Sequence, residues 1–346
     1  MTKPIRVLLA DDSAFARKVV REVLEAEGME VVGSARDGAE ALEMTASLLP
    51  DIVISDLLMP RLSGVEYVTA QMAIRAVPIL ILSSATQEAP EVLEALNAGA
   101  IDVVRKPTAL ATDSLRDVRA ELIEKIQATV QARPLKVAGV RAGDPVPVAP
   151  VMPVRATSRA DVVVLGISTG GPQALRRMMP LFPGDFPVPI AIVLHMPVGY
   201  TAYYAEKLNE TCALTVKEAA DGDILRPGLV LVAQAGRHLR LHKEGAHVVA
   251  RLSVHPLEAL HRPSVDVLFE SAATAYGART LGVVMTGMGD DGKQGSAWIK
   301  AQGGTVLTEA ESSCVIYGMP RTVVEAGLSD AAVPLERMAV AITAHL

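Results

Sequence analysis

Short apolar runs recur at Ile5 to Ala10, Val31 to Ala35, Ile52 to Ser55, Ile79 to Leu82 and Ile101 to Val104, with segments of helical period between them. Runs of this length suit strands buried on both faces of a parallel sheet. Phe15, Val19, Val20, Val23 and Leu24 mark one face of a helix that stops at Gly28. Five strands alternating with helices predict a doubly wound α/β unit whose site lies at the carboxyl ends of the strands. The pattern resumes at Asp161, with strands expected at Val162 to Ile167, Ile190 to Leu194, Leu281 to Met285 and Thr305 to Glu309. A helix is expected from Pro172, a residue suited to a first helical position, through Met179. Two doubly wound parallel-sheet domains are the expectation.

Between them the pattern fails. Residues 127–160 contain Pro134, Pro145, Pro147, Pro150 and Pro153, no aromatic residue and no apolar period, which is the composition of a semi-extended linker. Charge divides the chain at the same places. Residues 1–126 carry 13 Lys/Arg against 20 Asp/Glu, residues 127–160 carry 5 against 1, and residues 161–346 carry 15 against 18. The expected organisation is therefore a first domain over 1–126, a linker over 127–160 that is able to lie along the acidic first domain, and a second domain over 161–346. A net charge of −6 argues against a nucleic-acid footprint. No run approaches the roughly 18 apolar residues of a membrane span. The N-terminal stretch lacks the features of an export signal. Cys212 and Cys314 fit neither a disulfide framework nor a zinc site. A cytoplasmic protein is expected.

In the first domain the polar residues gather at predicted strand ends: Asp11 and Asp12 after the first strand, Asp56 after the third, Ser83 after the fourth, Lys106 and Pro107 after the fifth. Each alone is an ordinary turn residue. Together, three carboxylates at one sheet edge repel one another, a cost that a hard cation such as Mg²⁺ offsets. One carboxylate is then able to attack a phosphoryl group while the cation and Lys106 stabilise the oxygens. On these residues, and on the run Ser55, Asp56, Leu57, Leu58, Met59, Pro60, the domain resembles a response-regulator receiver of flavodoxin-like fold. The resemblance implies Asp56 as phosphoacceptor, Asp11, Asp12, Asp56 and the carbonyl of Leu58 as Mg²⁺ ligands, and Ser83 and Lys106 as phosphate contacts. Many receivers carry an aromatic switch three residues before the lysine; Val103 stands there.

In the second domain Ser168 follows the first strand at a tight turn with Thr169, Gly170 and Gly171, where free N–H groups face developing negative charge. A helix N-cap is the commoner role for such a serine. His195 ends a second strand, and Thr286, Gly287, Met288, Gly289, Asp290, Asp291 and Gly292 follow a third. Hydroxyl, imidazole and carboxylate at three strand ends are able to form a nucleophile, its base and the group that orients the base. The other histidines offer no nearby acid and nucleophile, and the alternation around His238 and His242 reads as surface strand. Met178 and Met179 read as packing, Arg176 and Arg177 as a solvated face, and at least one of Tyr200, Tyr203 and Tyr204 as interior. A rival reading takes Gly287, Gly289 and Gly292, followed by a strand ending in Glu309, as a dinucleotide fingerprint. Asp290 and Asp291 would then sit where the pyrophosphate belongs. A phospho-regulated binding or DNA-binding protein is the third class, and it lacks a basic recognition helix.

Residues 161–346 resemble the chemotaxis protein-glutamate methylesterase catalytic domain, a hydrolytic domain of Rossmann-like α/β fold. The motifs are Gly166 to Pro172, His195 to Pro197, His261 to Asp266, and Thr286 to Gly292. The resemblance implies Ser168 as nucleophile, His195 as base and Asp291 as orienting carboxylate. It implies Thr169 and the Met288 N–H as oxyanion donors. It also implies a phosphorylation-activated hydrolase that removes methyl esters from glutamates on the cytoplasmic helices of chemoreceptors, and deamidates glutamines there, with no cofactor in the catalytic domain. A histidine kinase would be the phosphodonor and the receiver an inhibitor until phosphorylated. Leu194 stands where the family often has a polar residue, an expected change in the polarity of the pocket.

Overall fold

A computed structural model describes residues 3–83, 88–106, 112–131 and 159–346, with side chains from 119 to 130 in the segment 112–131. Pro107 and most of the expected linker lie outside the described residues. The first unit runs β1 (Arg6–Ala10), α1 (Ala14–Ala26), β2 (Glu30–Ala35), α2 (Gly38–Leu48), β3 (Ile52–Asp56), α3 (Gly64–Ile74), β4 (Ile79–Ser83), α4 (Ala89–Ala98), β5 (Asp102–Arg105) and α5 (Thr112–Gln131). All neighbouring strands are parallel, in the order β2-β1-β3-β4-β5. Asp56 ends β3, Ser83 ends β4, Asp11 follows β1 and Lys106 follows β5. The order reverses at β1, opening a crevice at that edge. Helix α5 continues to Gln131, five residues beyond the boundary expected at 126.

Helix starts follow local capping chemistry. Ser13 caps α1 through the Ala16 N–H, and Ser63 with Glu66 forms a capping box at α3. Phe15 departs from expectation: it is 57% exposed, while Val20 and Leu24 are buried. It lies five residues before Val20, about 140° round the helix, and faces away from the sheet.

The second unit runs β6 (Val162–Ile167), α6 (Gly171–Met178), β7 (Ile190–Leu194), α7 (Thr201–Asn209), β8 (Thr215–Glu218), β9 (Leu229–Val232), β10 (His238–Glu244), β11 (His247–Ser253), α8 (Val265–Tyr276), β12 (Thr280–Val284), α9 (Lys293–Ala301), β13 (Thr305–Glu309), α10 (Met319–Glu325), β14 (Ala331–Val333) and α11 (Leu335–Thr343). Seven parallel strands lie in the order β14-β13-β12-β6-β7-β9-β8, so the order reverses beside β6. That reversal puts a crevice at the carboxyl ends of β6, β7 and β12.

The β10–β11 hairpin is antiparallel and tied to α8 by the Leu241 N–H donating to Ser271 Oγ at 3.0 Å. His238, expected at the surface, is fully buried, whereas His242 is exposed. The loop before α8 covers the start of β10, and the Ser264 N–H donates to His238 Nδ1 at 3.2 Å. Met178, Met179, Tyr200 and Tyr204 are interior, and Arg176 and Arg177 are exposed.

The two units abut. Helix α4 packs on α6 and α7, and Gln173 Nε2 donates to the carbonyls of Leu96 and Ala100. Ile101 joins Val315 and Ile316 in a small apolar cluster, with Ala128 and Met288 against it.

Candidate active site

Ser168 follows β6 in a turn pinned at both ends: its N–H donates to Thr286 O at 3.0 Å and its carbonyl accepts from Gly171 N at 2.6 Å. It is not a cap, because the N-cap of α6 is Gly170, in the left-handed region at φ 81°. Gly287 lies against it so closely that a Cβ there would stand 2.7 Å from Ser168 Cβ, which restricts position 287 to glycine. Thr286 Oγ1 donates to Thr169 O at 3.0 Å and accepts from Ile316 N at 3.0 Å, tying the loop after β12 to the turn after β6.

His195 follows β7, its N–H donating to Ile167 O. Its Nε2 lies 2.9 Å from Asp291 Oδ2, while its buried Nδ1 has no hydrogen-bond partner among the described residues. Asp291 is 8% exposed, and Asp290 beside it is exposed. The Asp291 carboxylate accepts from Ser264 Oγ at 2.9 Å, Val265 N at 2.8 Å and Asp266 N at 2.9 Å. The last two N–H groups open α8, so the carboxylate sits as an anion at a helix N-terminus. Burial alone would raise its pKa; the bond and charge of His195, with the N–H groups of Asp266 and Val265, outweigh this and hold it at about 2.

Asp266 returns the arrangement. Its Oδ1 accepts from Gly292 N at 2.9 Å and Gly295 N at 2.7 Å, capping α9, whose own N-cap is a glycine without a side chain. Burial pushes the Asp266 carboxyl up to about 6 against those bonds, with Asp291 adding to the rise. This occupies the helix N-terminus that a pyrophosphate would need. Glu309, the acid of the same fingerprint, is fully buried and accepts from Thr286 N and Ser313 Oγ. The dinucleotide reading therefore loses both of its anchors.

Ser168, Thr169, His195, His261 and Met288 line one cavity of about 280 Å³. Ser168, His195 and Asp291, distant in sequence, thus come to the carboxyl ends of three neighbouring strands. Leu194 is fully buried among the core side chains and is not among the residues lining the cavity. His261, set aside on sequence for want of an acid and a nucleophile, stacks on the His195 ring with centroids 4.2 Å apart. Ser264, Asp266 and His261 all belong to the His261 to Asp266 motif, whose serine and acid at a helix start were the available signal.

Four of the residues lining the same cavity come from the first unit: Arg105, Glu121, Glu124 and Lys125. Thr169 Oγ1 donates to Asp102 Oδ2 at 2.5 Å, and Lys125 Nζ lies 3.2 Å from that carboxylate. Arg105 donates to Val198 O, and Ser83 Oγ lies 2.6 Å from Tyr200 OH. No sequence period signals these contacts between units.

At the edge of the first sheet, Asp11, Asp12 and Asp56 present carboxylate oxygens within 4.8 Å of one another, an all-oxygen set able to hold a hard cation. Lys106 Nζ lies 2.6 Å from Asp56 and 3.0 Å from Asp11. Burial raises the Asp56 pKa, and Lys106 opposes the rise. Leu58 lies two residues past Asp56 with its side chain 56% exposed. Val103 is buried in the core. Among the described residues no helix is long and apolar enough to cross a membrane.

Residues 163–342 match the CheB methylesterase family and residues 7–117 the response regulator receiver domain. The chain is 50% identical over 352 residues to the protein-glutamate methylesterase/protein-glutamine glutaminase 5 of Myxococcus xanthus, covering 100% of this chain and 99% of that protein. It is 39% identical to the enzyme of that name from Moorella thermoacetica, covering 99% of each. The crystal structure of the Thermotoga maritima CheB methylesterase catalytic domain superposes with a TM-score of 0.52 at 40% identity, covering 53% of this chain and 97% of that one. The chain belongs to the CheB methylesterase family, with a response-regulator receiver at its N-terminal end.

Proposed function

We propose that the protein is a phosphorylation-activated esterase that removes methyl groups from glutamate side chains of chemoreceptors, with Ser168 as nucleophile. The observation that carries this reading is the division of labour on His195: Nε2 is committed to Asp291, Nδ1 is buried and unpaired among the described residues, and the residue lines the cavity that Ser168 also lines. An unpaired buried nitrogen costs about 1–3 kcal/mol, so a hydroxyl that reaches it is favoured. Ser168 Oγ attacks the ester carbonyl as its proton passes to Nδ1. The proton then goes to the departing methoxide, which leaves as methanol, and a water hydrolyses the acyl-enzyme by the same route. The Thr169 hydroxyl and the Met288 N–H hold the oxyanion. Attack on a glutamine amide by the same groups releases ammonia, in keeping with the glutaminase activity in the relatives' names.

The receiver inhibits. Its residues wall the cavity, and Asp102 takes the Thr169 hydroxyl that the oxyanion needs. Losing one such donor costs roughly 10²–10³ in rate. Asp56 is the phosphoacceptor, with a histidine kinase as donor. Asp11, Asp12, Asp56 and the Leu58 carbonyl would hold Mg²⁺, which when bound neutralises charge on the phosphoryl oxygens, and Ser83 and Lys106 contact the phosphate. We assign the receiver to residues 1–131 and the catalytic domain to 161–346, and place the enzyme in the cytoplasm beside the receptor helices it acts on.

The test is methanol release from methylated receptor by the full chain, with a small phosphodonor and Mg²⁺. Release is expected to rise with phosphodonor and to fall to background in Ser168→Ala. Release that survives this substitution would reject the serine mechanism.

A further inference from the structure

The stretch from His261 to Asp266 touches both members of the proton path. Its last three residues donate three hydrogen bonds to Asp291. Its first lays an imidazole on His195, centroids 4.2 Å apart and planes 24° from parallel. His195 is otherwise held at one edge, by Nε2 on Asp291, and its Nδ1 has no partner among the described residues. A ring fixed at one atom is free to swing about that bond, and each swing carries Nδ1 out of the plane needed for proton transfer. A flat ring against its face removes this freedom. We propose that His261 is a positioning residue for the esterase reaction, holding His195 in the plane in which Nδ1 is presented to Ser168.

The proposal rests on the serine mechanism, and the state of His261 supports it. Burial, with the neighbouring charges of His195 and Lys125, lowers its pKa to about 4, and Asp291 only partly offsets this. At neutral pH it is therefore an uncharged π face. Such a face accepts the positive charge that His195 gains on taking the serine proton, whereas a second imidazolium there would repel it. The other ionisable groups around the pair are Asp266 and Arg262 in the same stretch and Arg105, Glu121 and Glu124 across the cavity.

The full chain with phosphodonor and Mg²⁺ provides the test, with all of those groups unchanged. Two readouts apply: the rate at which a fluorophosphonate labels Ser168 between pH 5 and 9, and kcat and KM for methanol release. His261→Phe keeps a flat uncharged ring and is expected to stay within about threefold of the parent. His261→Leu keeps volume but not flatness, and is expected to lose about tenfold in labelling rate and kcat while KM stays within about twofold. His261→Lys sets a fixed cation beside His195 and is expected to move the pH of half-maximal labelling down by about half a unit or more. Equal rates for the Leu and Phe variants, or an unmoved midpoint in the Lys variant, would overturn the proposal. Equal labelling of the parent and of Ser168→Ala would overturn the serine mechanism, and this role with it.

Discussion

At the scale of single residues, the choice between Asp290 and Asp291 shows how environment sets role. Both precede α9, and on paper either carboxylate serves. Asp290 is exposed, whereas Asp291 receives three donors and the His195 ring. With its pKa near 2, Asp291 stays ionised at any working pH, so in the proposed mechanism it fixes the tautomer of His195 without taking its proton. The contribution of that depressed carboxyl to folding is present above about pH 4 and lost as pH falls towards 2. Asp291→Asn is expected to lower kcat by roughly 10⁴-fold, and Asp290→Asn by about twofold or less, since exposed substitutions are usually near neutral. Comparable losses in steady-state methanol release would mean the assignment is reversed.

At the scale of elements, buried carboxylates stabilise the loops that carry the chemistry. Glu309 ends β13 and accepts from Thr286 N at the head of the loop after β12. It also accepts from Ser313 Oγ, which in turn accepts from Leu335 N at the start of α11. Burial pushes its pKa up to about 7, so the folded state prefers it protonated. The stability this group contributes is therefore complete below about pH 4.5 and is lost as pH rises through 7, about 3 kcal/mol in all. Glu309→Gln, which mimics the protonated form, is expected to flatten the fall in Tm between pH 5 and 8, as followed by circular dichroism. An unchanged slope in the variant would place the pH dependence elsewhere. The strands that carry these groups were legible because parallel strands buried on both faces read as continuous apolar runs, and Ser168, His195 and Asp291 were legible as polar residues at their ends. The supports were not. Asp266 caps a helix 27 residues away from it in sequence, and His238 is buried by a loop whose path no period describes. Phe15 shows the reverse failure, an apolar residue near the right spacing that misses the face by about 140°.

At the scale of the whole molecule, the question is how an event on Asp56 reaches Thr169. Asp56 and Leu82 pair across β3 and β4, which puts Ser83 one step beyond the strand neighbour of Asp56, the proposed phosphoacceptor. Ser83 shares its hydroxyl with Glu88 and, across the interface, with Tyr200. The proposed phosphoryl group on Asp56 would bring strong acceptor oxygens to that strand end, where they would compete for the same hydroxyl. Val103 occupies the place of an aromatic switch, and the ring at Ser83 comes instead from the catalytic unit. Loss of that bond loosens the edge of an interface that also holds Thr169 on Asp102, and the balance between closed and open enzyme shifts by the energy removed. A hydrogen bond to a charged group contributes about 1.5–3 kcal/mol, which corresponds to roughly 10- to 150-fold in that balance. Asp102→Asn weakens the Thr169 contact without leaving Lys125 unpaired, since Glu121 lies 3.1 Å from it. This variant is expected to release methanol several-fold faster than the parent without phosphodonor and at the parent's rate with it. Tyr200→Phe is expected to move in the same direction by a smaller factor, because a neutral bond is worth less. A basal rate that stays at the parent's level in both variants would show that the receiver restrains the enzyme by coverage of the cavity alone, with no part played by the hydroxyl of Thr169.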